Sequence, residues 1–280
     1  MIICLNGAFV PEEKACVSVL DRGFLYGDGL FETLLLRSGR PFRWEAHVAR
    51  FEQGARLLGI APPAAGDDLR AWVARLVELN GMPDAIARIA LTRGVGLRGY
   101  SPRGAAAPTL VITLHPAPVV DVETPVAWRL HCASLRVAET GLPSALKTSS
   151  KVAHVLARAE AEAAGADEAL LLNTRGEVVE AAAANLFWIE NATVMTPPLS
   201  SGALAGVTRE AVMELCRKQQ WALAEADALP GRLLGAEAVF LTLTSLGIVE
   251  AVSLDGRPLK RCARVHQLHR AYQDLLRQEP

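Results

Sequence analysis

Three prolines in the eleven residues HPAPVVDVETP (His115–Pro125) constrain the fold of this chain more than any other stretch. Proline has no backbone N–H and a fixed φ, so neither a helix nor a central strand is expected to run through such a segment. The chain is therefore expected to divide into a smaller N-terminal α/β domain over residues 1–116, a linker over 117–123 and a larger C-terminal α/β domain over 124–280. A chain of 280 residues is long enough to bury a sizeable core under that division.

Periodicity fills in both halves. MIICLNGAFV reads as a hairpin around Asn6-Gly7, a pair that tolerates the positive φ angles of a tight turn. Trp44, Val48, Phe51, Ala55 and Leu58 recur at helical spacing, and DDLRAWVARLVELNG has acidic residues at its start and a glycine stop. AIARIALTR and PTLVITLHP read as strands of a buried sheet. Beyond the prolines, VAWRLHCA predicts a strand and EALLLNTRGEVVEA and NLFWIENATVM predict hairpins. A helix is predicted from near Val207 or Thr208, and AVFLTLTSLGIVEAV predicts a strand that breaks into a hydroxyl-rich turn.

Composition narrows the function classes. A net charge of −1 gives no basic excess for nucleic acid or an anionic membrane. No apolar run reaches bilayer length, and the first residues lack the basic start of a secretory signal, so a cytoplasmic location is expected. The five cysteines are scattered and without a CxxC pair, so neither a disulfide framework nor a zinc ribbon is indicated. His266 and His269 stand three apart on a predicted C-terminal helix, but Arg261, Arg264 and Arg270 crowd the same turns, and no metal is expected there. GVGLRG (Gly94–Gly99) fits a dinucleotide-binding pattern, which requires a helix to follow. Pro102, Gly104 and Pro108 come instead, so the stretch reads as a glycine-rich loop that presents Arg98.

Lysine is scarce, with five in the chain at positions 14, 147, 151, 218 and 260, and Lys147 precedes a Thr-Ser-Ser cluster and an alanine-rich helix. DRGFLYGDGLFETLLL bends at Gly27-Asp28-Gly29 between apolar runs. HVAR places His47 and Arg50 three apart on one helical face. Glu180 ends a strand and is followed by small residues, AGVTRE offers free N–H groups at a helix start, and TLTS offers Thr242, Thr244 and Ser245. A helix N-terminus, hydroxyls and an arginine make a phosphate cup. Together with a lysine and a buried carboxylate they describe a site for pyridoxal 5'-phosphate. There the lysine amine would bind the aldehyde and move the substrate proton, and the carboxylate would keep the pyridine nitrogen protonated.

From LNGAFV to TSLGIVEAV these segments resemble, in order and spacing, the class IV aminotransferase family of fold-type IV pyridoxal phosphate enzymes. The resemblance implies a mixed α/β, two-domain fold like that of D-amino-acid aminotransferases, with the active site between the domains, and a homodimer. It implies that Lys147 is the Schiff-base lysine, that Glu180 partners the pyridine nitrogen, and that Arg50, the Val207 and Thr208 backbone and Thr244 hold the phosphate. Asn185 falls on the asparagine of the family's "E, four residues, N" signature. The family takes a small-molecule amino substrate, and its D-amino-acid branch traps the substrate carboxylate with a tyrosine, an arginine and a histidine. The matching positions here hold Phe31, Arg98 and Tyr100.

DRGFLYGDGLFET, RGVGLRGYSP and GADEALLLNTRGEVVEAAAANLFW are most similar to 4-amino-4-deoxychorismate lyases, which release pyruvate to leave p-aminobenzoate for folate. The D-amino-acid and branched-chain aminotransferase branches, and a pyridoxal phosphate-binding protein without turnover, stand as alternatives. Ala181 and Ala182 stand where the family often has a glycine and a hydroxyl residue, and Leu243 stands where it has a hydroxyl in the phosphate turn. Lys151 stands one helical turn past Lys147, where an apolar or aromatic residue is common.

Overall fold

A computed structural model describes residues 1–139 and 146–278. It divides into two compact units, Met1–Ala117 with Leu146–Lys151, and Pro118–Ala145 with Val152–Gln278.

The first unit is built on a six-stranded sheet in the order β2-β1-β6-β5-β3-β4. Its strands are β1 (Ile2–Leu5), β2 (Ala8–Pro11), β3 (Gly29–Arg37), β4 (Arg40–Pro41), β5 (Ala85–Thr92) and β6 (Thr109–Pro116). The β1–β2 hairpin turns at Asn6 and Gly7, both at positive φ, as their side-chain chemistry allows. A short helix α1 (Arg22–Tyr26) precedes β3 and is capped by Asp21, which accepts from the Gly23 N–H at 2.7 Å. Helices α2 (Trp44–Leu58) and α3 (Gly66–Asn80) pack on the sheet through Phe51, Ala55, Leu69, Val73 and Leu76, which meet Leu34, Ile89, Leu110 and Ile112 in one buried cluster. Burial of each large apolar side chain there contributes roughly 1.5–3 kcal/mol.

The second unit carries β7 (Val126–Val137), α4 (Val152–Ala163), β8 (Glu168–Asn173), β9 (Val178–Ala181), β10 (Asn185–Glu190), β11 (Thr193–Thr196), α5 (Val207–Lys218), β12 (Leu223–Glu225), α6 (Pro230–Gly235), β13 (Ala238–Leu243), β14 (Gly247–Leu254), β15 (Arg257–Pro258) and α7 (Ala263–Gln278). Its sheet runs β12-β11-β10-β13-β14-β7-β8-β9, and β9 pairs back onto β10, so the strands from β10 round to β9 close on themselves. The closing pair is Glu180 opposite Asn185. One alternating set of side chains, including Leu186, Trp188, Val239, Leu241, Val249 and Ala251, forms a buried cluster. On the other set Phe187 and Phe240 stack with centroids 5.0 Å apart. Helix α5 packs on β13, and α7 packs on β14.

Two expectations differ from this arrangement. The proline-rich residues after Ala117 group with the second unit, where His269 Nε2 meets the Asp121 carbonyl at 2.7 Å and Arg270 reaches Glu123 at 3.4 Å. The Lys147 segment, expected in the C-terminal domain, groups with the first unit. Phe31 N–H donates to the Lys147 carbonyl at 3.0 Å and Ser149 N–H to the Gly29 carbonyl at 2.9 Å, with Thr148 bridged to Leu30. Lys151 is consequently not a helical turn beyond Lys147, because the segment is strand-like and α4 begins at Val152.

Candidate active site

In the first unit, pairing along the start of β3 fixes the Lys147 backbone and brings its Nζ to 4.6 Å from the Phe31 ring centroid. The Arg88 guanidinium lies 3.7 Å from the same centroid. Arg88 reaches it because Thr33 pairs with Arg88 and Phe31 with Ala90, so side chains two apart on β3 and β5 share a face. An arginine over an aromatic face is held by the ring quadrupole and keeps its N–H fork for a ligand. Sequence reading missed Arg88. The available signal was a single cation at an interior position of the otherwise apolar AIARIALT strand.

Behind Phe31, Glu32 points to the other face of β3 and is 1% exposed. Arg50 grips it through Nε at 2.7 Å and Nη2 at 2.7 Å, and His47 Nδ1 lies 2.8 Å from Oε2, the oxygen that also accepts from Nη2. Both residues come from α2, where three-residue spacing puts them one turn apart on one face. Burial alone would raise the Glu32 pKa, but hydrogen bonds and charge from His47 and Arg50 win and hold it at about 2. Burial depresses the His47 pKa, against the pull of Glu32, and the Arg50 and Lys147 charges depress it further. Arg50, assigned to phosphate from the sequence, is thus also one arm of a buried ion pair.

In the second unit two uncharged donors reach Glu180. Glu180 Oε2 accepts from Asn185 Nδ2 at 3.0 Å and from the Leu204 N–H at 3.0 Å. The Asn185 amide also donates to the Leu204 carbonyl at 2.9 Å, so one side chain ties the carboxylate to the segment entering α5. Gly206 caps that helix, and a Cβ there would fall 1.9 Å from Asn185 Oδ1. Glycine is required by this close approach and supplies no side-chain cap, which leaves the first N–H groups of α5, at Val207 and Thr208, without one. Thr242, opposite Asn185 in the β10–β13 register, is 2% exposed, and its Oγ1 has no hydrogen-bond partner among the described residues. Thr244 and Ser245 are half-buried in the turn after β13. Backbone N–H groups, an orphaned hydroxyl and further hydroxyls form a donor set suited to a phosphate ester. A carboxylate oriented by the Asn185 amide and the Leu204 N–H suits a protonated pyridine nitrogen.

The remaining sequence candidates, Arg98 and Tyr100, stand exposed on the loop after β5, with Tyr100 87% exposed. His266 and His269 belong elsewhere, beside Glu250 and the Asp121 carbonyl.

The profile of the amino-transferase class IV family matches residues 29–254. The chain is 35% identical to a putative branched-chain-amino-acid aminotransferase of Methanocaldococcus jannaschii, over 92% of this chain and 89% of that one. It is 32% identical to the aminodeoxychorismate lyase of Vibrio harveyi, over 81% of this chain and 83% of that one. The branched-chain aminotransferase of the thermophilic archaeon Thermoproteus uzoniensis, solved with norvaline, superposes with a TM-score of 0.92 at 28% identity, covering 100% of this chain and 96% of that one.

Proposed function

The chain belongs to the class IV aminotransferase family of pyridoxal phosphate enzymes, and on that premise we propose that it is a 4-amino-4-deoxychorismate lyase. The observation that carries this reading is Arg88, a cation fixed on the Phe31 ring 3.7 Å from its centroid while Lys147 Nζ lies 4.6 Å from the same point. With Arg98 it makes two cations for a substrate that bears two carboxylates.

When bound, pyridoxal phosphate supplies a conjugated ring that takes up the electron pair released from a substrate carbon. Lys147 would remove the proton at the aminated ring carbon and, as the neighbouring C–O bond breaks, deliver a proton to the methylene carbon of the departing enolpyruvate, which leaves as pyruvate while the ring becomes aromatic. Glu180 would hold the pyridine N–H, and Asn185 and the Leu204 N–H keep that carboxylate in place. Arg50, the Val207 and Thr208 backbone and Thr244 would hold the phosphate. Arg88 and Arg98 orient the carboxylates, and Phe31 packs against the substrate ring.

A second reading, transfer of an amino group between an amino acid and a keto acid, is supported by the relative at 35% identity. The same lysine would then move a proton from the substrate carbon to the cofactor. Incubating the purified holoenzyme with aminodeoxychorismate separates the two. The lyase releases pyruvate with no keto acid added, whereas bleaching of the visible band by an amino acid, without pyruvate release, would establish the transaminase.

A homodimer belongs to this reading. Val19, Leu20, Phe24 and Leu25 gather at and before α1 with Phe24 75% exposed, an apolar surface of the kind that subunits cover. Light scattering should give about twice the 30.0 kDa chain mass, and a value near 30.0 kDa would contradict the dimer.

A further inference from the structure

The loop after β5 is exposed in its side chains yet tightly held in its backbone. Leu97 is 71% exposed and Tyr100 87%, so the loop adds little to any core. Arg22, at the start of α1, is only 4% exposed and spends its guanidinium on this loop. Its Nη1 donates to the carbonyls of Gly99 at 2.8 Å and Ser101 at 3.1 Å, and its Nη2 donates to that of Tyr100 at 3.1 Å. Three successive carbonyls converge on one planar fork, whose fixed N–H directions dictate where each must lie. The Gly99 N–H donates to the Tyr26 hydroxyl at 3.2 Å, and the Tyr26 ring lies 4.9 Å from the Arg22 guanidinium carbon.

The stem of the loop is equally constrained. Gly94 has φ +79, and a Cβ there would fall 1.8 Å from the Ala107 carbonyl oxygen, so the two strands of the stem cross where only glycine fits. Arg22 is itself oriented by Asp28, whose Oδ2 accepts from Arg22 Nε at 2.8 Å and from Arg93 Nε at 2.8 Å. Arg93 also donates to the Leu58 and Gly59 carbonyls at 2.8 and 3.1 Å, at the C-terminal end of the helix that carries His47 and Arg50. Asp28 therefore ties the loop to that helix end through two arginines. What such a pinned backbone determines is the direction of the side chains it displays.

We propose that Arg22 is a positioning residue for substrate recognition, which fixes the backbone of residues 99–101 and thereby sets the stance of Arg98 and Tyr100. This rests on the reading above that Arg98 meets a substrate carboxylate. Lysine in place of Arg22 has one nitrogen and cannot serve Asp28 and three carbonyls together, so Arg22→Lys should restore only part of the function.

The test uses the holoenzyme as wild type, Arg22→Met, Arg22→Lys, Arg98→Ala and the double variant Arg22→Met/Arg98→Ala. Steady-state rates are measured with aminodeoxychorismate and, separately, with D-alanine and 2-oxoglutarate, alongside amide hydrogen exchange. Arg22→Met should raise KM on whichever substrate the wild type turns over by about 10-fold or more, with kcat within about threefold and cofactor content unchanged. Amides of residues 95–104 should exchange at least about ten times faster, while those of β3 and β5 keep their protection. In the Arg98→Ala background the same change should alter KM by less than about twofold, because both act through one contact. Unchanged loop exchange, multiplicative KM effects, or a joint fall of kcat and cofactor content would each overturn the proposal. Absence of pyruvate release by the wild type would overturn the lyase reading alone, since the exchange data and the transamination rates still decide the role of Arg22.

Discussion

Glu32 in the first unit is gripped by Arg50 and His47, with a cation against its charge, whereas in the second an amide and a backbone N–H meet on one oxygen of Glu180. The first arrangement yields a carboxylate at about pKa 2 whose stability contribution depends on protonation. In the second, the amide and the backbone N–H carry no charge to lose, and the Glu180–Asn185 pair sits on the pairing that closes the second unit's strands. The Glu32 cluster is therefore sensitive to acid, while the Glu180–Asn185 contact is set by strand pairing. The difference also assigns tasks. Lys147, proposed above to move protons, groups with the first unit, and Glu180, the proposed partner of the pyridine nitrogen, lies in the sheet of the second.

The largest expected effect comes from removing the one group in the first unit assigned to proton transfer. Lys147→Ala should lower kcat by at least about 10³-fold, while Lys151→Ala keeps most activity. Comparable losses in both would break the assignment of chemistry to a single lysine. Glu180→Gln comes next, with kcat reduced about 10²- to 10³-fold and cofactor content retained, because an amide cannot hold the pyridine nitrogen protonated. Near-normal turnover in that variant would mean that Glu180 serves the fold alone.

Arg50→Ala should weaken cofactor binding by about 10- to 100-fold, the size of a charge-assisted contact to phosphate. Unchanged affinity, measured by cofactor titration of the apoenzyme, would confine Arg50 to the Glu32 pair. The smallest effect concerns acid. Glu32 is depressed from 4.5 to about 2, so its stabilisation is complete above pH 4.5 and is lost as pH falls toward 2. His47, depressed below 6.5, adds a loss in the same direction, because the unfolded imidazole takes up a proton that the folded one refuses. Denaturant unfolding should show wild type losing on the order of 1–2 kcal/mol more than Glu32→Gln between about pH 4.5 and about pH 2. Parallel curves would remove the pH sensitivity claimed for the first unit.

Local pattern carried much of this into view from the sequence alone. Asn6-Gly7 marks its hairpin, the stripe through Trp44 and Phe51 marks α2, and the spacing of Glu180 and Asn185 places both at the ends of adjoining strands. What the sequence did not show are relations made by distant pairing. Nothing near Lys147 announces that its backbone will hydrogen-bond to β3, more than a hundred residues earlier in the chain, which is why the expected domain boundary misplaced it. Arg88 is one charge within a strand, and the ring it faces is set by the β3 register. Arg22 looked like part of a bend, since three carbonyls from a loop 77 to 79 residues away have no local signature.

Covalent attachment of the cofactor to Lys147 is the central claim. Borohydride reduction of the yellow holoenzyme, followed by proteolysis and mass spectrometry, tests that directly. The visible band should vanish and a single pyridoxyl group should map to Lys147, with Lys151 unmodified. A pyridoxyl group on Lys151, or none on any lysine of a protein that retains its cofactor, would contradict it.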